Sequence, residues 1–436
     1  MNSIIKILVA LLVFSIIVIV HELGHFLLAK KNGIMVTEFS LGMGPRLCSF
    51  QGKETRYSVK LFPIGGSCMM LGEDETNDDP RSFNKKGVWA RISTIAGGPI
   101  FNFILAFVLA MFVVGMAGID EAYVTKVSEG YPAAAAGLQA GDLITKIGGK
   151  NVDISRDVDL YFQFNPLNNS EPIDITYERD GKEYQTTLTP VIYSKYMLGF
   201  GYSSNDSEAV ISNVSENYPL ADAGIAAGDI IVKVNDTPIG SGKELNEYFT
   251  NHPLSTEPVA FTYTRDGVET TVDVVPKESQ SYTLGFAYNE VRSGKVNNPI
   301  SIVKYSYTEV KFWIKTTVAS LGQLITGGVS MNDISGPVGI VNIIGDSYEA
   351  AAEIGFMTVL LQLAYMSILL SANLGVMNLL PIPALDGGRL VFLLIEAVRG
   401  KPIDPEKEGL VHMIGFVALM LLMVFVVFND IIKIIH

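Results

Sequence analysis

The sequence predicts a polytopic α-helical membrane protein: four transmembrane helices, a small membrane-associated β-sheet and two inserted α+β domains. Three observations carry this. The 436 residues are 48% hydrophobic with a mean hydropathy of +0.32, too apolar for an ordinary soluble chain and suited to a few spans plus soluble mass. Apolar runs long enough to cross a bilayer lie near residues 4–29, 92–118, 356–380 and 411–428. Between the second and third, a block repeats itself at an offset of 87 residues.

The formal net charge of −13 is unevenly placed. Residues 119–296 hold 26 acidic and 13 basic side chains and so carry the whole imbalance, which argues against a nucleic-acid surface there. The two cysteines, Cys48 and Cys68, share one early loop and fit the reducing side of a membrane. Lys6 followed by an apolar run looks like a signal peptide. Ala-x-Ala cleavage residues are missing, however, so the run reads as a retained span.

That first span closes on His21-Glu22-Leu23-Gly24-His25. On a helix the two histidines point the same way, about 6 Å apart. This is the spacing two imidazoles need to bind one zinc, with Glu22 placed to act on a water at the metal. The bland reading is incidental polarity at a helix end. Against it, one glutamate and two histidines in a lipid-compatible helix are expensive to keep and mark function. Residues 30–91 carry ten Lys/Arg, against Lys6 alone before the span. The positive-inside tendency thus puts the N-terminus outside and this loop in the cytoplasm. His21 then lies roughly 13 Å from the cytoplasmic helix end, within the bilayer thickness.

In the loop, Thr37–Leu41 and Arg56–Phe62 read as short strands separated by Gly42-Met43-Gly44-Pro45. Pro63-Ile64-Gly65-Gly66 breaks the chain before Ser67–Leu71. The small sheet offers an edge to an extended peptide or is a structural hairpin. Glu73–Asp79 reads as a solvated acidic turn. Ala96-Gly97-Gly98-Pro99 opens the second span and allows close helix approach. Asn102 within it bonds a neighbouring helix, the simpler reading, or orients the site.

In the repeat, residues 131–144 recur as 218–231, Tyr177-Glu178-Arg179-Asp180-Gly181 as Tyr263-Thr264-Arg265-Asp266-Gly267, and Leu198-Gly199-Phe200 as Leu284-Gly285-Phe286. Each triplet follows its repeat, which leaves open the module it serves. His252 reads as a surface histidine. Apolar side chains at 303, 307, 310, 314, 318, 321 and 325 predict a helix lying on the outer membrane face or a packed connector. Gly327-Gly328 and Ser335-Gly336-Pro337-Val338-Gly339 break the chain.

The third span ends in Asn378-Leu379-Leu380-Pro381-Ile382-Pro383-Ala384-Leu385-Asp386-Gly387-Gly388-Arg389. The prolines forbid regular helix, and irregular backbone at membrane depth must be buried in protein or line a wet cavity. Asp386 is a helix cap or the third ligand the two histidines lack. His412, at the start of the fourth span, and His436 fit that role less well. The count gives four crossings, both termini outside, and segments 1–118, 119–203, 204–296, 297–340 and 341–436.

The histidine motif taken with Asn378-x-x-Pro381-x-Pro383-x-Leu385-Asp386-Gly387 resembles the site-2 protease family of intramembrane zinc metalloproteases. The repeats, with Pro-Ala-x-x-Ala-Gly-Leu-x-x-Gly-Asp, resemble bacterial PDZ domains, as in the regulator-of-sigma-E type of that family. The resemblance runs over nearly the whole chain. It implies that His21, His25 and Asp386 bind Zn2+, that Glu22 is the general base, and that Asn378 helps hold the substrate backbone. Pro381 and Pro383 would keep that backbone extended. It further implies a bacterial cytoplasmic membrane, PDZ-like domains outside it that capture peptide or protein ends or act as a size filter, and single-span membrane protein substrates already trimmed outside, such as an anti-sigma factor or a remnant signal peptide. Two rivals are a non-catalytic PDZ-bearing membrane sensor of protein ends, which has no need of Glu22 and three ligands, and a zinc transporter, which needs several clusters across the membrane where one is visible.

Overall fold

The computed structural model describes residues 3–73, 77–289, 292, 296–328 and 335–435; residues 74–76 of the expected acidic turn lie outside that set. The chain forms two compact units, Met1–Glu121 with Glu290–His436, and Ala122–Asn289.

In the first unit, α1 (Ser3–Lys31) ends on Lys30 and Lys31, cations that complement the helix C-terminus. The strands β1 (Val36–Gln51) and β2 (Arg56–Met70) are longer than expected because each folds back on itself. Phe39 pairs with both Cys68 and Tyr57, and Ser40 with both Ser67 and Ser58. Residues 36–41 therefore lie between 66–70 and 56–59, and 48–51 lie beyond 56–59. Gly42 and Gly44 turn the chain at φ +81° and +86°, a region glycine reaches without a Cβ penalty. Helix α2 (Val88–Ala117) contains Pro99 and touches α1 through backbone: a Cβ on Gly24 would sit 2.2 Å from the Gly97 carbonyl oxygen.

The second unit holds β3 (Val124–Val127), α3 (Pro132–Ala135), β4 (Leu143–Ile147), β5 (Lys150–Asn151), α4 (Arg156–Phe164), β6 (Ile173–Arg179), β7 (Lys182–Leu188) and β8 (Val191–Met197). It continues with β9 (Phe200–Tyr202), β10 (Ile211–Val214), α5 (Pro219–Asp222), β11 (Ile230–Val234), β12 (Thr237–Pro238), α6 (Gly242–Asn251), β13 (Val259–Arg265), β14 (Val268–Val274), β15 (Lys277–Thr283) and β16 (Phe286–Tyr288). The repeat folds twice alike, into sheets ordered β5-β4-β6-β7 and β12-β11-β13-β14. Its most regular polar feature is a clamp. Arg179 binds Asp142 through Nε and Nη2 at 2.6 and 2.7 Å and donates to the Gly137 carbonyl at 2.8 Å. Arg265 repeats this on Asp229 and Gly224 at the same distances.

The cores cross the repeat. Leu198 and Phe200 pack with Ile211, Leu220 and Phe261 in the second module. Leu284 and Phe286 pack with Val124, Ile144 and Ile175 in the first, where β16 pairs with β3. Each Leu-Gly-Phe triplet thus serves the other copy, and the second module is nested inside the first. A boundary at 203/204 would cut the second core, because the triplet's apolar side chains fit the sheet that follows Leu198 and not the one before it.

The first unit resumes with α7 (Pro299–Thr326), α8 (Pro337–Ile354), α9 (Phe356–Leu379), α10 (Asp386–Arg399) and α11 (Pro405–Ile435). Among the described residues, four helices are long and apolar enough to cross a membrane: Ile4–Lys31, Val88–Ala117, Phe356–Leu379 and Lys407–Lys433. Ala106, Ala110 and Val113 of α2 meet Ile368 and Ala372 of α9 and Val310 of α7. The expected stripe on α7 divides: Val310 is buried, while Val303, Tyr307, Val318 and Ile325 are exposed. The packed face instead carries Ser306, Glu309 and Thr317. Glu309 accepts from Arg292 Nη2 at 3.0 Å and Trp313 Nε1 at 3.2 Å, which satisfies a buried carboxylate. Helix α8 packs Ile344 onto Ala10, Val13 and Ile17 of α1, so a division at 340/341 runs through a packed helix. Asp430 of α11 accepts from the Gly336 and Gly339 amides at 2.9 and 2.8 Å, capping α8 from another helix.

Candidate metal centre

His21 and His25 project from one face of α1, one turn apart, and are 8% and 6% exposed. Their Nε2 atoms lie 3.2 Å apart. Asp386, the first residue of α10, brings Oδ2 to 3.2 Å from His21 Nε2 and 3.4 Å from His25 Nε2. The N-cap of α10 is Leu385, so the carboxylate of Asp386 faces the imidazoles and the helix-cap alternative fails. Two glycines allow that approach: a Cβ on Gly387 would sit 2.1 Å from the Leu380 carbonyl oxygen, and one on Gly388 2.5 Å from that of Ile382.

Residues of α2 set the tautomers. His25 Nδ1–H donates to the Thr94 carbonyl at 3.0 Å, leaving its Nε2 a lone pair. The Asn102 amide stands 3.1 Å from His21 Nδ1, and Asn102 Oδ1 is buried without a partner. With the amide turned so that Oδ1 faces the ring, it accepts from Nδ1–H, its oxygen is satisfied, and His21 Nε2 also keeps a lone pair. Asn102 therefore orients the site, the reading set second from sequence. Thr94 and Gly98 are contributors that sequence reasoning missed. A Cβ on Gly98 would stand 2.3 Å from His25 Nε2 and 2.7 Å from His21 Nε2, so glycine alone leaves room beside both nitrogens. The Gly97-Gly98-Pro99 run was the available signal, and it reads equally as helix contact.

Two imidazole lone pairs and a carboxylate oxygen converge within 4.8 Å of one another, with Asp386 Oδ2 lacking a hydrogen-bond donor. Such a set of acceptors repels itself unless a cation sits among them, and two nitrogens with one oxygen suit zinc. Glu22 lies against β2, where a Cβ on Gly66 would stand 2.8 Å from its Cγ. Asn378 is half-buried in the last turn of α9. Pro381 is exposed. Pro383 packs on α11, where a Cβ on Gly415 would stand 2.4 Å from its own Cβ.

Residues 9–422 match peptidase family M50. The chain is 33% identical over 437 residues to the zinc metalloprotease RasP of Geobacillus kaustophilus, covering 97% of each. It is 32% identical over 433 residues to the regulator of sigma-W protease RasP of Bacillus subtilis, again covering 97% of each. It is 30% identical over 457 residues to the regulator of sigma-E protease RseP of Salmonella typhimurium, covering 96% of this chain and 97% of that one. Among solved structures, the PDZ domain of HtrA3 bound to a phage-derived ligand matches 21% of this chain and 93% of that domain at 23% identity and a TM-score of 0.18.

Proposed function

The chain belongs to peptidase family M50, and from that premise we propose that it is an intramembrane zinc metallopeptidase that cuts single-span membrane proteins already trimmed outside. The carrying observation is the convergence of His21, His25 and Asp386 with Glu22 beside them. His21, His25 and Asp386 would hold Zn2+. Bound there, Zn2+ would acidify a water and polarise the scissile carbonyl. Glu22 takes the proton of the attacking water and passes it to the leaving amine. Gly66 of β2 leaves room for the Glu22 side chain, and Thr94 and Asn102 keep both imidazoles aimed. A peptide bond inside a helix has its carbonyl already hydrogen-bonded, so the substrate must unwind. Asn378 and the edge of β2 are the groups that would hold the unwound backbone, with Pro381 and Pro383 shaping the loop between Asn378 and Asp386.

The basic 30–91 loop supports a cytoplasmic position for it. Both termini and the two modules would then lie on the extracytoplasmic side of a bacterial cytoplasmic membrane. The modules would act as PDZ domains on peptide or protein ends. Relatives named for sigma-W and sigma-E regulation favour anti-sigma factors as the substrate class.

Purified wild type should cleave a model transmembrane substrate, and Glu22→Gln should lose that cleavage while keeping its zinc. Equal cleavage by both proteins would refute the role of Glu22, and no cleavage by the wild type would leave the non-catalytic sensor. Asn378→Ala should slow cleavage without loss of zinc; a zinc-free variant would contradict its role.

A further inference from the structure

One histidine outside the cluster bears on it. Ala384 is a non-glycine residue in the left-handed region, at φ +76°, a conformation an L side chain adopts only when its surroundings impose it. Its N–H donates to His412 Nδ1 of α11 at 2.9 Å. One turn further along α11, Gly415 lies against Pro383 so closely that a Cβ would stand 2.7 Å from the Pro383 carbonyl oxygen. The same loop folds onto α10 at Gly387 and Gly388. Residues 380–385 are thus held from both sides, and Asp386 follows Ala384 by two residues.

We propose that His412 is a positioning residue for Asp386: its Nδ1 lone pair fixes the Ala384 amide and so aims the Asp386 carboxylate at His21 and His25. The inference rests on the reading of that cluster as a metal centre. His412 acts as a hydrogen-bond acceptor through Nδ1, not as a ligand of the metal or a contact of the substrate.

The test uses the full-length purified chain loaded with Co2+, whose visible bands report ligand geometry, together with zinc affinity by chelator competition. His412→Leu removes the acceptor and keeps bulk. It should shift the Co2+ bands and weaken zinc binding about 10- to 100-fold, as loss of an outer-shell partner does. It should lower kcat with little change in KM. His412→Asn returns an acceptor at the δ position and should restore affinity to within about threefold of wild type. If His412→Leu fails to fold, Gly415→Ala presses a methyl group on Pro383 and should shift the bands with the acceptor intact. Wild-type bands in His412→Leu or in Gly415→Ala, or no rescue by asparagine, overturn the assignment. A wild type that takes up no Co2+ or Zn2+ overturns the metal reading itself, which is a distinguishable result.

Discussion

At the scale of single residues, the site divides by what each group must do. His21, His25 and Asp386 were legible in the sequence because metal chemistry needs those donor types, and a helix fixes the spacing of the first two. Thr94 was not legible, since it acts through its backbone carbonyl and any residue has one. Asn102 was visible as an expensive polar group, but its partner depends on how α2 is rotated against α1, which periodicity does not give. Asn102→Leu should lower zinc affinity about 10- to 100-fold by chelator competition, because His21 Nδ1–H would lose its acceptor in a buried place. Unchanged affinity would remove Asn102 from the site. A second residue-level expectation concerns Glu38, which is buried in β1. Arg46, bonded through Nε and Nη2 at 2.9 Å each, holds its carboxyl down at about 2 against an ordinary 4.5, with Ser58 and Lys60 assisting. The folded-state value lies below the unfolded one. The pair therefore stabilises the hairpin fully above about pH 4.5 and loses that contribution as pH falls through about 2. A carbon-13 titration of Glu38 should find its midpoint near the lower value, and Arg46→Ala should move it toward the higher one.

At the scale of elements, the four apolar helices were readable from length and composition alone. The long helix α7 was read only in part. Its apolar stripe is real, yet half of it is exposed, and the packed face carries Glu309, paired with Arg292, and Thr317, bonded to Asn373 of α9. An apolar count assigns the wrong face where buried polar groups find partners in other segments. In the repeated modules, the Gly-Asp turn and the Tyr-x-Arg-Asp-Gly hairpin were seen as separate signatures. Distance joins them: the Asp229 side chain is 2% exposed and paired by Arg265 and the Ala226 amide, and the arginine holds its carboxyl below the ordinary carboxylate range. Arg265→Ala leaves that buried carboxylate only the Ala226 amide at 2.8 Å, at a cost of about 2–3 kcal/mol for the lost hydrogen bonds to a charged group. Urea unfolding of the second unit should show this. A midpoint equal to wild type would mean the turn holds without the clamp.

At the scale of the whole molecule, the repeat period told how many modules there are and said nothing of which strand closes which sheet. The period is a property of the chain order, and the closing strands β9 and β16 are exchanged relative to it. A fragment of residues 198–276 should therefore fold cooperatively by circular dichroism and heat. A fragment of residues 122–190, which lacks Leu284 and Phe286, should not, and cooperative melting of the latter would contradict the nesting. The exchange also bears on biogenesis. As the polypeptide leaves the ribosome, the copy encoded later receives all its strands first, while the earlier copy must wait, incomplete, for a strand delivered about 160 residues after its own first one. Maturation of the two copies thus runs opposite to the order of translation, and any pause between them leaves the first exposed to proteolysis.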